Sequence, residues 1–231
     1  MIIILYALDS DLDNDVMDQL LEELLLKRKD GLFKLIQEKI DIIDSNIKWA
    51  ISGPKLAREI LVKSLQLAVV VNQLKQHVQE FEPSPRLLDD QLSQFIPQLI
   101  ADYESNSRVQ HHGINIELGR HLSRYIAEVI YQFSQVRGFK HITYYFSSDI
   151  YKLRKLIEWF KQSDLVSDNE QFLILMWLCN LVMVPFVLET VTENASIEIY
   201  RLTLEKLQKF PHGSKNQLVA LMLLSRLLSR Y

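Results

Sequence analysis

Residues 128–146 read EVIYQFSQVRGFKHITYYF, and the break at Arg137-Gly138-Phe139-Lys140 decides how the chain is read. A phosphate loop, a partner-binding knob and a corner between two helices all fit the tetrapeptide taken alone. The run before Gly138 has helical period, so the glycine is expected to close that helix in a left-handed conformation, with Phe139 folding back onto the same core. Arg137 and Lys140 then project from a corner, where helical-repeat proteins present side chains to partners.

Working outward, the flanking sequence reads as further helices. Val16, Met17, Leu20, Leu21, Leu24 and Leu25 recur at three-and-four spacing before Lys27-Arg28-Lys29, which complement a helix carboxyl end. Asp30-Gly31 predicts a tight corner, followed by a second helix over 32–49 through Phe33, Ile36, Ile40, Ile43 and Ile47. Gly53-Pro54 predicts a turn into a helix over 55–80 whose LQLAVVV middle is apolar nearly all round, as expected of a central helix. EPSPRLLDDQL opens a new unit, with a sub-boundary near 81–86, and Pro97 is expected to bend the helix carrying Leu87, Leu88, Leu92, Ile96 and Leu99. Residues 102–114 are polar and unpatterned and read as a loop. Further helices are expected at 115–136, 139–147, 149–162, 169–189, 195–210 and 214–230. Ser167-Asp168 ahead of Gln171 resembles a capping box, and Pro211-His212-Gly213 stops the penultimate helix.

No stretch alternates like a strand for more than a few residues, so the fold is expected to be all-α. Successive helix pairs with short corners indicate a HEAT/armadillo-like α-solenoid of stacked hairpins, with a closed helical bundle as the rival. The strongly apolar last helix, NQLVALMLLSRLLSRY, carries no polar capping face. The 231 residues therefore read as one α-helical domain, cut from a longer array.

Composition narrows function. Lys plus Arg number 26 against 29 for Asp plus Glu, so there is no overall basic field of the kind nucleic-acid binders carry. The lone Cys179 lies in an apolar run and suits a reducing compartment as a buried thiol. MIIILYAL lacks a basic start and runs into acidic residues, so it reads as a packing element rather than a signal peptide. FLILMWLCNLVMVPFVL, residues 172–188, is short for a membrane span and holds Asn180 and Pro185, so it reads as a buried helix.

Catalytic and cofactor motifs are absent. No phosphate-binding glycine pattern occurs, and Cys179 has no histidine one helical turn away. His111, His112 and His121 come nearest to a metal cluster, but adjacent histidines diverge and no usual ligand spacing completes the set. A second basic group, Lys152, Arg154, Lys155 and Lys161, is interleaved with Tyr151, Leu156, Trp159 and Phe160. No cofactor, metal or catalytic residue is expected.

The VRGFK corner, the aromatic run behind it, QFLILMWLCNLVMVPF and the closing LVALMLLSRLLSR together resemble the amino-terminal region of the tubulin-folding cofactor D family. That family shows V-R-G-Y-K, an L-L-W-L helix ending in I-P-F, and a later helix ending in L-V-S-R, in this order. PRLLDDQLSQFIPQLI is similar to its P-H-L-L-D-P-H-L segment, with Arg86, Asp90 and Gln91 in place of the family's residues. The resemblance covers about residues 85–230; residues 1–80 carry none. It implies a cytoplasmic, cytoskeleton-associated chaperone that binds β-tubulin and works with cofactors E and C during GTP hydrolysis by tubulin, and that associates with an Arf-like small GTPase. No nucleic acid and no membrane span are implied.

Phe139 stands where the family has tyrosine, which favours packing at that position. Arg137, Lys140, Lys152, Arg154 and Lys155 are the expected partner-binding residues, facing acidic β-tubulin. The alternatives are a helical-repeat adaptor for membrane traffic, a small-GTPase-binding scaffold, and an α-helical enzyme built on the three histidines.

Overall fold

The computed structural model describes residues 14–53, 55–111, 116–163 and 166–230, with side chains outside 14–16 and 107–111. Regular structure within them is helical throughout: α1 (Asn14–Ile51), α2 (Ala57–Gln79), α3 (Asp89–His111), α4 (Ile116–Arg137), α5 (Phe139–Ile142), α6 (Leu153–Lys161), α7 (Asp168–Leu181), α8 (Ala195–Leu207) and α9 (Lys215–Leu228). Short 3₁₀ turns at Pro85–Leu88, Thr143–Tyr145, Ile150–Lys152 and Leu188–Thr190 join them. The hairpins α1/α2, α3/α4, α6/α7 and α8/α9 stack in chain order, each packed on the next. One layer holds α1, α3, α6 and α8, the other α2, α4, α7 and α9. This is a HEAT/armadillo-like α-solenoid.

An aromatic seam links the layers. Phe33 stacks on Phe81 at 5.3 Å and meets Phe95 edge-on at 6.0 Å, and Phe95 reaches Phe133 at 6.1 Å. Farther along, Tyr103, Trp159 and Trp177 touch in series at 5.5 and 6.3 Å. Helix α7 is buried from Phe172 to Cys179, and each such side chain contributes about 1.5–3 kcal/mol. The 172–188 run is thus core, and among the described residues no helix is long and apolar enough to cross a membrane. The Cys179 thiol lies 3.7 Å from the Val219 carbonyl oxygen, and burial pushes its pKa up to about 12.

Several sequence expectations are corrected. Helix α1 runs unbroken through Gly31, because Leu25, Leu32, Phe33, Ile36, Ile40 and Ile43 keep one buried stripe across it. One glycine costs a helix only about 1 kcal/mol, far less than that stripe supplies. The 102–114 loop is helical as far as His111. Its polar residues turn inward: Asn106 is fully buried and donates to the Gly119 carbonyl at 2.6 Å and the Ser123 hydroxyl at 2.7 Å, tying α3 to α4.

Helix α2 is peripheral rather than central, burying Leu67, Val71, Leu74 and Val78 but exposing Leu61, Leu65 and Val69. The expected helices over 139–147 and 149–162 are shorter elements, and α7 ends at Leu181, ahead of Pro185. The Ser167 cap pairs with Glu170 rather than Gln171. Its hydroxyl accepts from the Glu170 N–H at 3.4 Å, and the Glu170 carboxylate accepts from the Ser167 N–H at 3.0 Å. MIIILYAL lies outside the described residues.

Candidate partner-docking corner

The corner forms because the apolar register of α4 runs out. Continued straight, α4 would place Lys140 two turns beyond fully buried Phe133, on the core face. Gly138 prevents this with φ +94°, a conformation side-chain-bearing residues rarely adopt. Its N–H donates to the Ser134 carbonyl at 3.0 Å, while its own carbonyl accepts from His141 at 3.0 Å and starts α5. Phe139 packs against the core and meets Phe172 edge-on at 6.4 Å.

The five predicted cations separate into two groups. Arg137 faces inward across the α3/α4 hairpin, donating from Nε and Nη2 to the two Asp89 oxygens at 2.6 and 2.7 Å. That bidentate pair holds the Asp89 carboxyl below the usual carboxylate range and raises Arg137; His141 Nε2 lies 3.2 Å from the same carboxylate. Lys152 pairs with Glu104 at 2.8 Å and lies 5.5 Å from the centre of the Trp177 ring. Lys155 lies over Trp159 at 4.5 Å. Lys140 and Arg154 are exposed.

Two residues that sequence reading missed stand out here. Tyr144 and Tyr151 are 81% and 82% exposed, on a segment whose neighbours Phe146 and Leu153 are buried. The aromatic run ITYYF has no period by which to separate outward Tyr144 from inward Tyr145 and Phe146. The loop beneath is rigidly held: Trp177 Nε1 donates to the Ser147 carbonyl at 3.0 Å and Asn180 Nδ2 to the Phe146 carbonyl at 3.2 Å. The result is a pinned corner that offers tyrosine hydroxyls and ring faces beside exposed Lys140 and Arg154, and tyrosine and arginine are enriched where proteins bind one another.

The later motifs resolve as internal ties. Arg226 donates to the Cys179 carbonyl at 2.8 Å, and Arg230 donates to the carbonyls of Val182, Val184 and Phe186. The closing arginines therefore satisfy carbonyls in the last turn of α7 and in the segment through Pro185 that follows it. Among the described residues no group of three or more histidine, cysteine or acidic side chains could hold a metal ion. His121 stacks on Tyr125 at 6.2 Å; His112 and the His111 side chain lie outside the described residues.

Residues 78–231 match the family described as tubulin-specific chaperone D-like, ARM repeat. The chain belongs to this family. The tubulin-folding cofactor D of Schizosaccharomyces pombe is 25% identical over 148 residues, covering 63% of this chain and 12% of that protein. No solved structure matches the chain. The corner, α7 and the α9 arginines all fall inside the part that matches the chaperone D-like family, and α1 and most of α2 fall outside it.

Proposed function

We propose that this chain is a non-catalytic interaction segment of a tubulin-folding chaperone, binding β-tubulin during assembly and disassembly of the α/β dimer alongside cofactors E and C. The observation that carries this reading is the pinned corner at 138–155, which lies within the family-matched residues and shows two exposed tyrosines with Lys140 and Arg154. Lys140, Arg154, Tyr144 and Tyr151 form the contact set. Arg137 and Lys152, each paired with a carboxylate, and Lys155, over the Trp159 ring, hold the corner in shape, and Lys140 and Arg154 supply the positive potential. An acidic partner is steered by that potential, and the steering weakens as salt screens it. The proposal places the protein in the cytoplasm, at the cytoskeleton, with the Arf-like GTPase as a further partner and with GTPase activation only as part of a complex with the other cofactors.

Pull-down with this chain as bait tests the reading, using native tubulin and the GTP- and GDP-loaded Arf-like GTPase as prey. The proposal expects tubulin to be retained by the wild type and lost from Tyr144→Ala, Tyr151→Ala double variants. Retention of the GTPase alone would move the function of this segment toward regulation. Retention of neither would remove the proposal.

A further inference from the structure

Helix α1 outruns its hairpin partner. It has 38 residues against 23 in α2, and the register is fixed near both ends of α2: Lys63 lies over Trp49 at 5.6 Å, and Glu80 pairs with Arg28 at 3.0 Å. Residues 17–27 of α1 therefore project past the end of α2. The Ser84 hydroxyl meets them there, donating to Glu22 at 2.9 Å.

The apolar stripe changes direction in that projection. Asp18 and Glu22 precede the buried Ile36 and Ile40 by eighteen residues, about five full turns, so carboxylates occupy the core line there. Met17, Leu20, Leu21 and Leu24 instead form a stripe of their own at three-and-four spacing, about 100° round the helix from Leu32, Ile36, Ile40 and Ile43. Among the described residues this second stripe lacks a full cover: Leu20 and Leu24 are 42% and 45% exposed, and Met17 and Leu21 are half-buried. A separate stripe implies a separate packing partner.

The chain itself supplies one. Residues 1–8, MIIILYAL, are apolar at every position, and residues 9–13 join them to the start of α1 at Asn14. Five residues is an ordinary length for a corner between two helices. The second stripe is about 10 Å long from Met17 to Leu24, and eight residues wound as a helix are about 12 Å long. The segment thus matches the stripe in length when it runs back along α1. The short tether holds it at a local concentration on the order of millimolar, which favours it over a partner arriving from solution.

We propose that residues 1–8 fold back antiparallel to α1 and dock on Met17, Leu20, Leu21 and Leu24, completing the first hairpin beyond the end of α2. Leu8 lies at the Met17 end of the stripe and Met1 at the Leu24 end. Asp9, Asp11 and Asp13 keep the link between them in solvent. This contact is separate from the corner at 138–155 and lies outside the family-matched residues 78–231.

Hydrogen exchange read by mass spectrometry on the whole chain tests this, because each side of the contact can be altered and the other side read. In the wild type, residues 2–8 are expected to exchange about tenfold or more slowly than an unstructured peptide of the same sequence. Ile3→Asp, Leu5→Asp should speed exchange at residues 17–25 by about tenfold or more and leave residues 32–50 unchanged. Leu20→Ser, Leu24→Ser should do the same to residues 2–8, a readout that a local loss of helix propensity in α1 does not move. Unprotected residues 2–8 in the wild type, or either variant without effect on the opposite side, would overturn the proposal. Protection that grows with protein concentration, with dimers in sedimentation, would assign the stripe to residues 1–8 of a second copy. Protection of residues 2–8 that appears only with phosphatidylserine-containing vesicles would assign that segment to a lipid surface. Either outcome contradicts the internal contact.

Discussion

Gly31 and Gly138 look alike in sequence and behave oppositely. Each is preceded by basic residues, each follows a run of helical period, and each reads as a corner. At Gly31 the helix runs straight through; at Gly138 the chain turns at φ +94°. The difference lies downstream. After Gly31, Leu32, Phe33 and Ile36 continue the buried stripe of Leu25 in phase, whereas after Gly138 the in-phase position is Lys140, which is exposed. A glycine ends a helix only when the apolar register beyond it no longer rewards continuing.

The sharpest way to break this contrast is to weaken the register that carries α1 across Gly31. Phe33 is buried between Phe81 and Phe95, and Phe33→Ala should cost about 3–5 kcal/mol in urea unfolding. A loss below about 1 kcal/mol would mean that the stripe does not hold the helix. Next comes Gly138→Ala, where a Cβ meets open space but a positive φ; destabilisation by about 1–3 kcal/mol is expected from backbone strain alone.

The far end of the α1–α3 contact supplies a pH test of similar size. Asp102 on α3 is 6% exposed, its Oδ2 lacks a partner, and burial together with Asp44 and Asp41 raises its pKa to about 7 against the pull of Lys48. A raised folded-state pKa means the folded chain holds the proton more tightly. The stability this carboxyl confers is therefore complete below about pH 4 and lost as pH rises through about 7. Stability should fall by about 2 kcal/mol between about pH 4 and pH 8, and Asp102→Asn should flatten that slope. An unchanged slope in the variant would place the titration elsewhere.

The smallest effect has the opposite sign. Gly31 is exposed, in mid-helix, with open space around its Cβ direction, so Gly31→Ala should stabilise by about 0.5–1 kcal/mol. Matching signs for the two Gly→Ala variants would contradict the comparison.

The sequence made the all-α stacked architecture legible because corners, caps and three-and-four spacing are local signals. Ser167, Gly138 and the buried Phe172–Cys179 run could be found without coordinates. What escaped depends on partners distant in sequence. Asn106 reads as a loop residue until Gly119 and Ser123 are seen to receive its amide. Arg137 reads as an outward cation until Asp89, forty-eight positions earlier, is seen to hold it. The apolar middle of α2 reads as core, since composition cannot tell which of its faces is covered. The outward turn of Tyr144 and Tyr151 is likewise fixed by α5 and the 3₁₀ turns at Thr143–Tyr145 and Ile150–Lys152, not by a helical period.

The account rests on the corner at Gly138 as a docking surface, and titration calorimetry tests it most directly. Native tubulin would be titrated into the wild type and into Lys140→Glu, Arg154→Glu at about 50 and about 300 mM salt. The account predicts binding that weakens with salt in the wild type and is reduced by about tenfold or more at low salt in the variant. Equal affinity of the two proteins, with the same salt dependence, would contradict it.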